Sequence, residues 1–282
     1  MKLIKVCLVL ASLVFFANAE EEEKDNTLNT NWLDTRVSFS MNESKKYAFL
    51  HLPKTMHDAY QDGYKPLHPA GSKCSEKGMG YKFVKNNDPA VVPIYGANGF
   101  LVGIENGFPE SQMKSQKAKD WFKKQHLFEK FHPENDKDET IYALQVYFQD
   151  PAKVCDVKKK WVPGLYALNG SNTVHIPKDE SKLDTKHWVK GKCIPNIGWR
   201  YYYGISKNMK CDYFQPFAPI YIKKTLIGFS SIAFGKFDSP HYNEADEHIP
   251  KKDFSKSVEV VPTCLENVPG GVVTTLHVYL ID

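Results

Sequence analysis

His51 and His175 each open the same pattern, His–apolar–Pro–Lys, within FLHLPKT and TVHIPKD. His68 and His187 follow, each six residues ahead of a cysteine, Cys74 and Cys193. Neutral imidazole suits copper or zinc, so two matched histidine pairs could assemble a transition-metal site in a secreted metal-dependent enzyme. That chemistry requires at least three of His51, His68, His175, His187 and His277 to converge within about 4–5 Å. The competing reading is structural: each histidine bonds at the base of a loop and was copied with its neighbours. Pro53, Lys54, Pro177 and Lys178 beside them suit exposed turns, and the spacing within each pair is no known ligand motif. The cofactor is accordingly none, or a transition metal if the histidines meet.

The echo extends beyond the histidines. Gly80-Tyr81-Lys82 answers Gly198-Trp199-Arg200, and Pro93-Ile94-Tyr95 answers Pro219-Ile220-Tyr221. Leu101-x-Gly103 answers Leu226-x-Gly228, and LQVYFQD from Leu144 answers LHVYLID from Leu276. The order never changes and the offset drifts only by loop-sized amounts. An internal tandem duplication is expected, with a first β repeat over 31–150 and a second over 160–282. The period is far longer than a solenoid unit.

Each copy reads as antiparallel β. In the closing segments Leu144, Val146 and Phe148 alternate with Gln145 and Tyr147, as Leu276, Val278 and Leu280 do with His277 and Tyr279. That period of two marks a half-buried strand. VVPIYGANGFLVGIENGF reads as strand, turn at Gly96–Gly99, strand, and a second turn at Asn106-Gly107. One inserted helix is expected near 111–131, where Trp121, Phe122, Leu127, Phe128 and Phe131 form an apolar stripe free of internal Pro and Gly. The fold class is therefore mainly β: two related antiparallel halves, sandwich or barrel-like, with one helix.

Residues 1–19 have a secretory signal pattern: Lys2 and Lys5, an apolar run from Val6 to Ala17, and an Ala17-Asn18-Ala19 cleavage site. An acidic, disordered leader is expected over 20–30. Net charge falls from +4 to +2 once Lys2 and Lys5 leave, which is no footprint for nucleic acid. No later stretch is long enough for a helical membrane span. Asn42 and Asn169 begin glycosylation sequons.

Cys74, Cys155, Cys193, Cys211 and Cys264 remain after the signal and are disulfide candidates in an oxidising compartment. The simplest pairing joins Cys74 to Cys155 and Cys193 to either Cys264 or Cys211; a Cys155–Cys264 bridge is a rival, and one cysteine is left free or intermolecular. No nucleophile elbow, zincin, Walker or Rossmann motif occurs. His241–His248 and Glu134–Glu139 could grip a divalent cation but read as solvated loops, the latter lacking the EF-hand pattern. Tyr201-Tyr202-Tyr203 would suit a binding surface, although ordinary strand composition is the preferred explanation. The leading expectation is a secreted non-enzymatic binding protein, its extracellular ligand or protein partner held between the two repeats.

Overall fold

The computed structural model describes residues 32, 34–38, 49–67, 71–74, 79–133, 137–194, 197–242 and 251–280. The signal and leader segments, His68 and Asn42 lie outside them. Fifteen strands follow in chain order: β1 (Arg36–Ser38), β2 (Phe49–His51), β3 (Lys65–Pro66), β4 (Tyr81–Val84), β5 (Val92–Tyr95), β6 (Leu101–Pro109), β7 (Phe128–Phe131), β8 (Ile141–Tyr147), β9 (Leu165–Asn169), β10 (Asn172–Ile176), β11 (Trp188–Ile194), β12 (Gly198–Tyr203), β13 (Phe217–Ile222), β14 (Thr225–Phe234) and β15 (Val273–Tyr279). Three α-helices accompany them among the described residues: α1 (Met56–Gln61), α2 (Gln116–Lys124) and α3 (Lys251–Ser257).

The strands form two open antiparallel sheets. One runs β11-β12-β13-β14-β15-β1-β2; the other runs β10-β9-β8-β6-β5-β4-β3, with β7 also paired to β8. The eight-stranded sheet takes the consecutive strands β3–β10, whereas the seven-stranded sheet joins β11–β15 to β1 and β2 from the start of the chain. The hairpin β1–β2 docks on β15 at the far end of the sequence, and the hairpin β9–β10 docks on β8. One core cluster draws on both sheets and is dense in aromatic rings. Trp121 and Phe122 of α2 meet Phe108, Phe128 and Phe234, and Trp121 Nε1 donates to the Phe214 carbonyl at 3.1 Å.

The two His–x–Pro–Lys stretches carry the chain out of the docked hairpins. The Tyr95 hydroxyl donates to the Pro53 carbonyl at 2.9 Å, and the Tyr221 hydroxyl to the Pro177 carbonyl at 2.6 Å. The next carbonyl in each stretch is also taken: Leu101 N–H donates to Lys54 O at 2.9 Å and Leu226 N–H to Lys178 O at 2.8 Å. A cap follows in both. Thr55 forms a capping box with Asp58 at the start of α1, and the Asp179 carboxylate accepts from Ser181 N–H at 2.9 Å. Buried or half-buried backbone carbonyls need such partners.

Three expectations are corrected. The inserted helix covers Gln116–Lys124 only; Phe128–Phe131 is strand β7, because pairing with β8 outcompetes a further helical turn there. Asn106-Gly107 is no turn. Both lie inside the continuous strand β6, where Asn106 Nδ2 donates to the Ala90 carbonyl at 2.7 Å and Asn106 Oδ1 accepts from Ser231 of β14, tying one sheet to the other. Gly107 is required by close packing, since a Cβ would stand 2.9 Å from the Pro89 carbonyl. Finally, β8 and β15 are buried on both faces rather than half-buried. Their alternating polar side chains belong to a covered face.

Burial holds the Tyr95 and Tyr221 phenols far above their ordinary value of 10.0. Unfolded tyrosine ionises near pH 10 and the folded groups do not, so stability falls as pH rises above 10. Tyr95→Phe and Tyr221→Phe are each expected to lower stability by about 1–3 kcal/mol at neutral pH, by stripping a proline carbonyl of its donor. Each variant should also lose less stability than the parent between pH 10 and 12. Urea unfolding at both pH values measures this.

Candidate functional site

The covered faces of β8 and β15 hold the structure's principal polar clusters. On the eight-stranded sheet one cross-strand row reads Lys82, Ile94, Gly103, Tyr147, Tyr166, His175. Gly103 interrupts it because the backbone of β8 runs too close: a Cβ would be 2.7 Å from the Val146 carbonyl. The next row places Val92, Glu105 and Gln145 opposite one another. Lys82 spans the two rows, its Nζ 2.6 Å from Glu105 Oε2, with side-chain exposures of 5% and 1%. The contact is an ion pair by proximity, since neither Glu105 oxygen has a well-directed hydrogen bond.

The row continues through amide and phenol. Gln145 Nε2 donates to the Glu129 carboxylate. Tyr147 Oη lies 2.9 Å from the Met79 carbonyl and 3.1 Å from Gln145 Oε1. Burial first, then the charges of Glu105 and Glu129, push the Tyr147 phenol far up, so it remains a neutral donor. Lys82 Nζ sits 5.9 Å from the centre of the Phe131 ring.

Two cavities flank this cluster. One, of about 300 Å³, is lined by Val92, Phe131 and Ile141 together with Ser111, Gln112 and Glu139. The other, of about 810 Å³, is lined by His126, Glu129, Gln145, Leu168, Asn172 and Thr173. Its walls come from β7, β8, β9 and β10.

The seven-stranded sheet repeats the row: Arg200, Ile220, Gly228, Tyr279, Arg36, His51. Gly228 is again dictated by backbone approach, a Cβ falling 2.0 Å from the Val278 carbonyl. In the adjoining row Ser230 faces His277. Arg200, Ser230 and His277 are 6%, 0% and 1% exposed. Arg200 Nε, Ser230 Oγ and His277 Nε2 have no hydrogen-bond partner. Burial, with the Arg200 charge second, holds the His277 imidazole well below its ordinary value.

The matched histidines occupy sheet edges. His51 ends β2, with Nδ1 3.5 Å from Asp34. His175, on the edge strand β10, stacks on Tyr166 at 4.6 Å. His187 precedes β11, bonding Asp184 at 2.6 Å and stacking on Tyr203; the bond to His187 lowers the Asp184 carboxyl below its usual range. His51 and His175 thus stand on different sheets. Among the described residues no group of three or more His, Cys, Asp and Glu side chains is placed to hold a metal ion. His277, in the middle of a sheet, is the histidine whose environment is most unusual, and its alternation with leucine and valine was the sequence signal for it.

Cys74 is bonded to Cys155, and Cys211 to Cys264. Cys193 therefore takes neither Cys211 nor Cys264, the Cys155–Cys264 rival does not form, and no described cysteine is free. Asn169 is half-buried at the β9–β10 turn. Of the two acidic loops only parts are described: His241 Nε2 lies 3.7 Å from Asp88, and Glu139 bonds Ser111. Tyr201 and Tyr202 are buried and Tyr203 is more exposed. The chain matches no known family model, no curated protein and no solved structure.

Removing one member of a buried ion pair leaves the other charge uncompensated, at a cost of about 3–5 kcal/mol, whereas replacing both by apolar groups is often neutral. Glu105→Gln is expected to lose that much stability, and the double variant Lys82→Met with Glu105→Leu to recover most of it. Equilibrium denaturation of the four proteins closes the cycle; a Glu105→Gln protein as stable as the parent would show that the pair contributes nothing.

Proposed function

We propose that this chain is a secreted, non-enzymatic binding protein built by tandem duplication, and that its ligand occupies the larger cavity on the eight-stranded sheet. The observation that carries the reading is the composition of that cavity. Carboxylate, amide and hydroxyl groups of Glu129, Gln145, Asn172 and Thr173 converge on about 810 Å³, and the bonds from Gln145 to Glu129 and from Tyr147 to Gln145 fix two of them in place. Binding cavities take this form: few, concave, with a small number of oriented polar groups. Amides and hydroxyls both donate and accept, so the ligand class is a polar molecule that hydrogen-bonds through hydroxyl or amine groups. Binding is preferred to catalysis because the carboxylates are already engaged: Glu105 by Lys82, Glu129 by Gln145.

The expected location between the repeats moves accordingly. The space between the sheets is filled by aromatic core, but this cavity takes Ala143 and Gln145 from 31–150 and Leu168 and Thr173 from 160–282. Duplication is supported by the paired rows, the paired tyrosine–proline bonds and the matching strand order of the two sheets once β7 is set aside. Two disulfides, and the fact that no described helix is long and apolar enough to cross a membrane, fit an extracellular location.

Two experiments test these readings. Thr173 is exposed on β10, so Thr173→Trp should fill the cavity and leave the thermal midpoint within about 2 °C of the parent. Polyhydroxylated and amine compounds that raise the parent's midpoint should fail on this variant; equal stabilisation of both proteins would place the ligand elsewhere. Residues 31–150 expressed alone should form a dimer in which each β1–β2 hairpin docks on β8 of the other copy, the partner that β9–β10 uses here. Light scattering distinguishes that dimer from a folded monomer, which would count against the duplicated, hairpin-exchanged ancestry.

A further inference from the structure

The two sheets solve the same physical problem differently. Lys82 and Arg200 stand at the same place in their rows, each beside a glycine gap, each almost wholly buried. Lys82 is neutralised by Glu105. Ser230 holds the register position that Glu105 holds in the first sheet, and His277 stands where that sheet has Gln145. The comparison uses strand register alone and holds whatever the ancestry of the chain.

A guanidinium does not deprotonate in a protein, and an unpaired buried charge costs several kcal/mol. Arg200 Nε has no partner and is a donor only. Ser230 Oγ, also without a partner, donates through its hydroxyl hydrogen. His277 Nε2 completes the set as a donor in the Nε2–H tautomer. One permanently cationic donor and two groups able to donate, with no carboxylate among them, suit a negatively charged occupant that accepts hydrogen bonds. Serine is shorter than glutamate by about three heavy atoms, the bulk of one large monatomic ion rather than of a phosphate.

We propose that Arg200, Ser230 and His277 form an internal anion site that takes a halide, chloride under extracellular conditions, as the counter-ion that Glu105 supplies to Lys82 within the chain. The ion is a structural ligand of the seven-stranded sheet and is separate from the cavity of the other sheet. Its binding stabilises the fold by mass action.

Thermal unfolding of the full-length secreted protein, in sodium chloride against sodium gluconate at equal ionic strength, tests the site. Above its dissociation constant, chloride should raise the midpoint by roughly 3–5 °C per tenfold concentration, and bromide should do the same. Ser230→Glu builds the internal carboxylate and should abolish the dependence while matching, in gluconate, the parent's stability in chloride. Arg200→Met should also abolish it, and Lys82→Met should keep it. A parent midpoint identical in the two salts overturns the proposal, as does a chloride dependence that survives in both Ser230→Glu and Arg200→Met. Stabilisation by acetate but not by bromide would overturn the halide in favour of a carboxylate ligand.

Discussion

A tyrosine hydroxyl bonded to a proline carbonyl, made twice, is the contact on which the architecture turns. Each bond sits where the chain leaves a docked hairpin. Pro53 follows β2, a strand of the seven-stranded sheet, yet Tyr95 belongs to the eight-stranded one; Pro177 follows β10 of the eight-stranded sheet, and Tyr221 belongs to the seven-stranded one. A proline fixes its own φ and has no N–H to donate, so its carbonyl is the group left for the crossover to anchor. The adjacent lysine carbonyl is held at the start of a strand of the next sheet, by Leu101 of β6 or Leu226 of β14. The hairpin β1–β2 completes the seven-stranded sheet from the start of the chain, β3–β10 run consecutively in the eight-stranded one, and one core serves both.

The docked hairpins also explain the polar rows. With a hairpin added beyond β8 and β15, those two strands become interior, flanked on both edges. Loops carrying the Cys74–Cys155 bridge lie against the outer face of one sheet, and α3 packs on β11 of the other, approaching so closely that a Cβ on Gly191 would be 2.5 Å from the Ser257 carbonyl. Side chains that would be solvated in a two-layer protein are thereby removed from water. Desolvation then forces each polar group to find a partner. Lys82, Glu105, Gln145, Glu129 and Tyr147 find one another; Arg200, Ser230 and His277 do not.

Some of this was legible in residues. The echo of His51–Lys54 in His175–Lys178, and of Gly80–Lys82 in Gly198–Arg200, points to structurally equivalent positions, and the cross-strand rows place them so. The strand periodicity of β8 and β15 was also legible. Its meaning was not, because alternation reports which residues share a face and says nothing of what covers that face. Asn106-Gly107 shows the same limit: its turn chemistry is real locally, but Ala90 and Ser231, distant in sequence, satisfy the asparagine in an extended strand.

Sequence alone determined the β-rich class, the strand periodicity of the closing segments and the set of positions that correspond, because side-chain alternation and local turn preferences act over a few residues. Tertiary structure decided the docking of β1–β2 on β15, the disulfide partners and the fate of the histidines. These depend on which segments meet after long loops close, and on burial, which turns Gln145 and His277 from surface-like letters into members of desolvated clusters. The spacing of His51 and His175 could not reveal that each ends a row on a different sheet; only the register of six strands places them there.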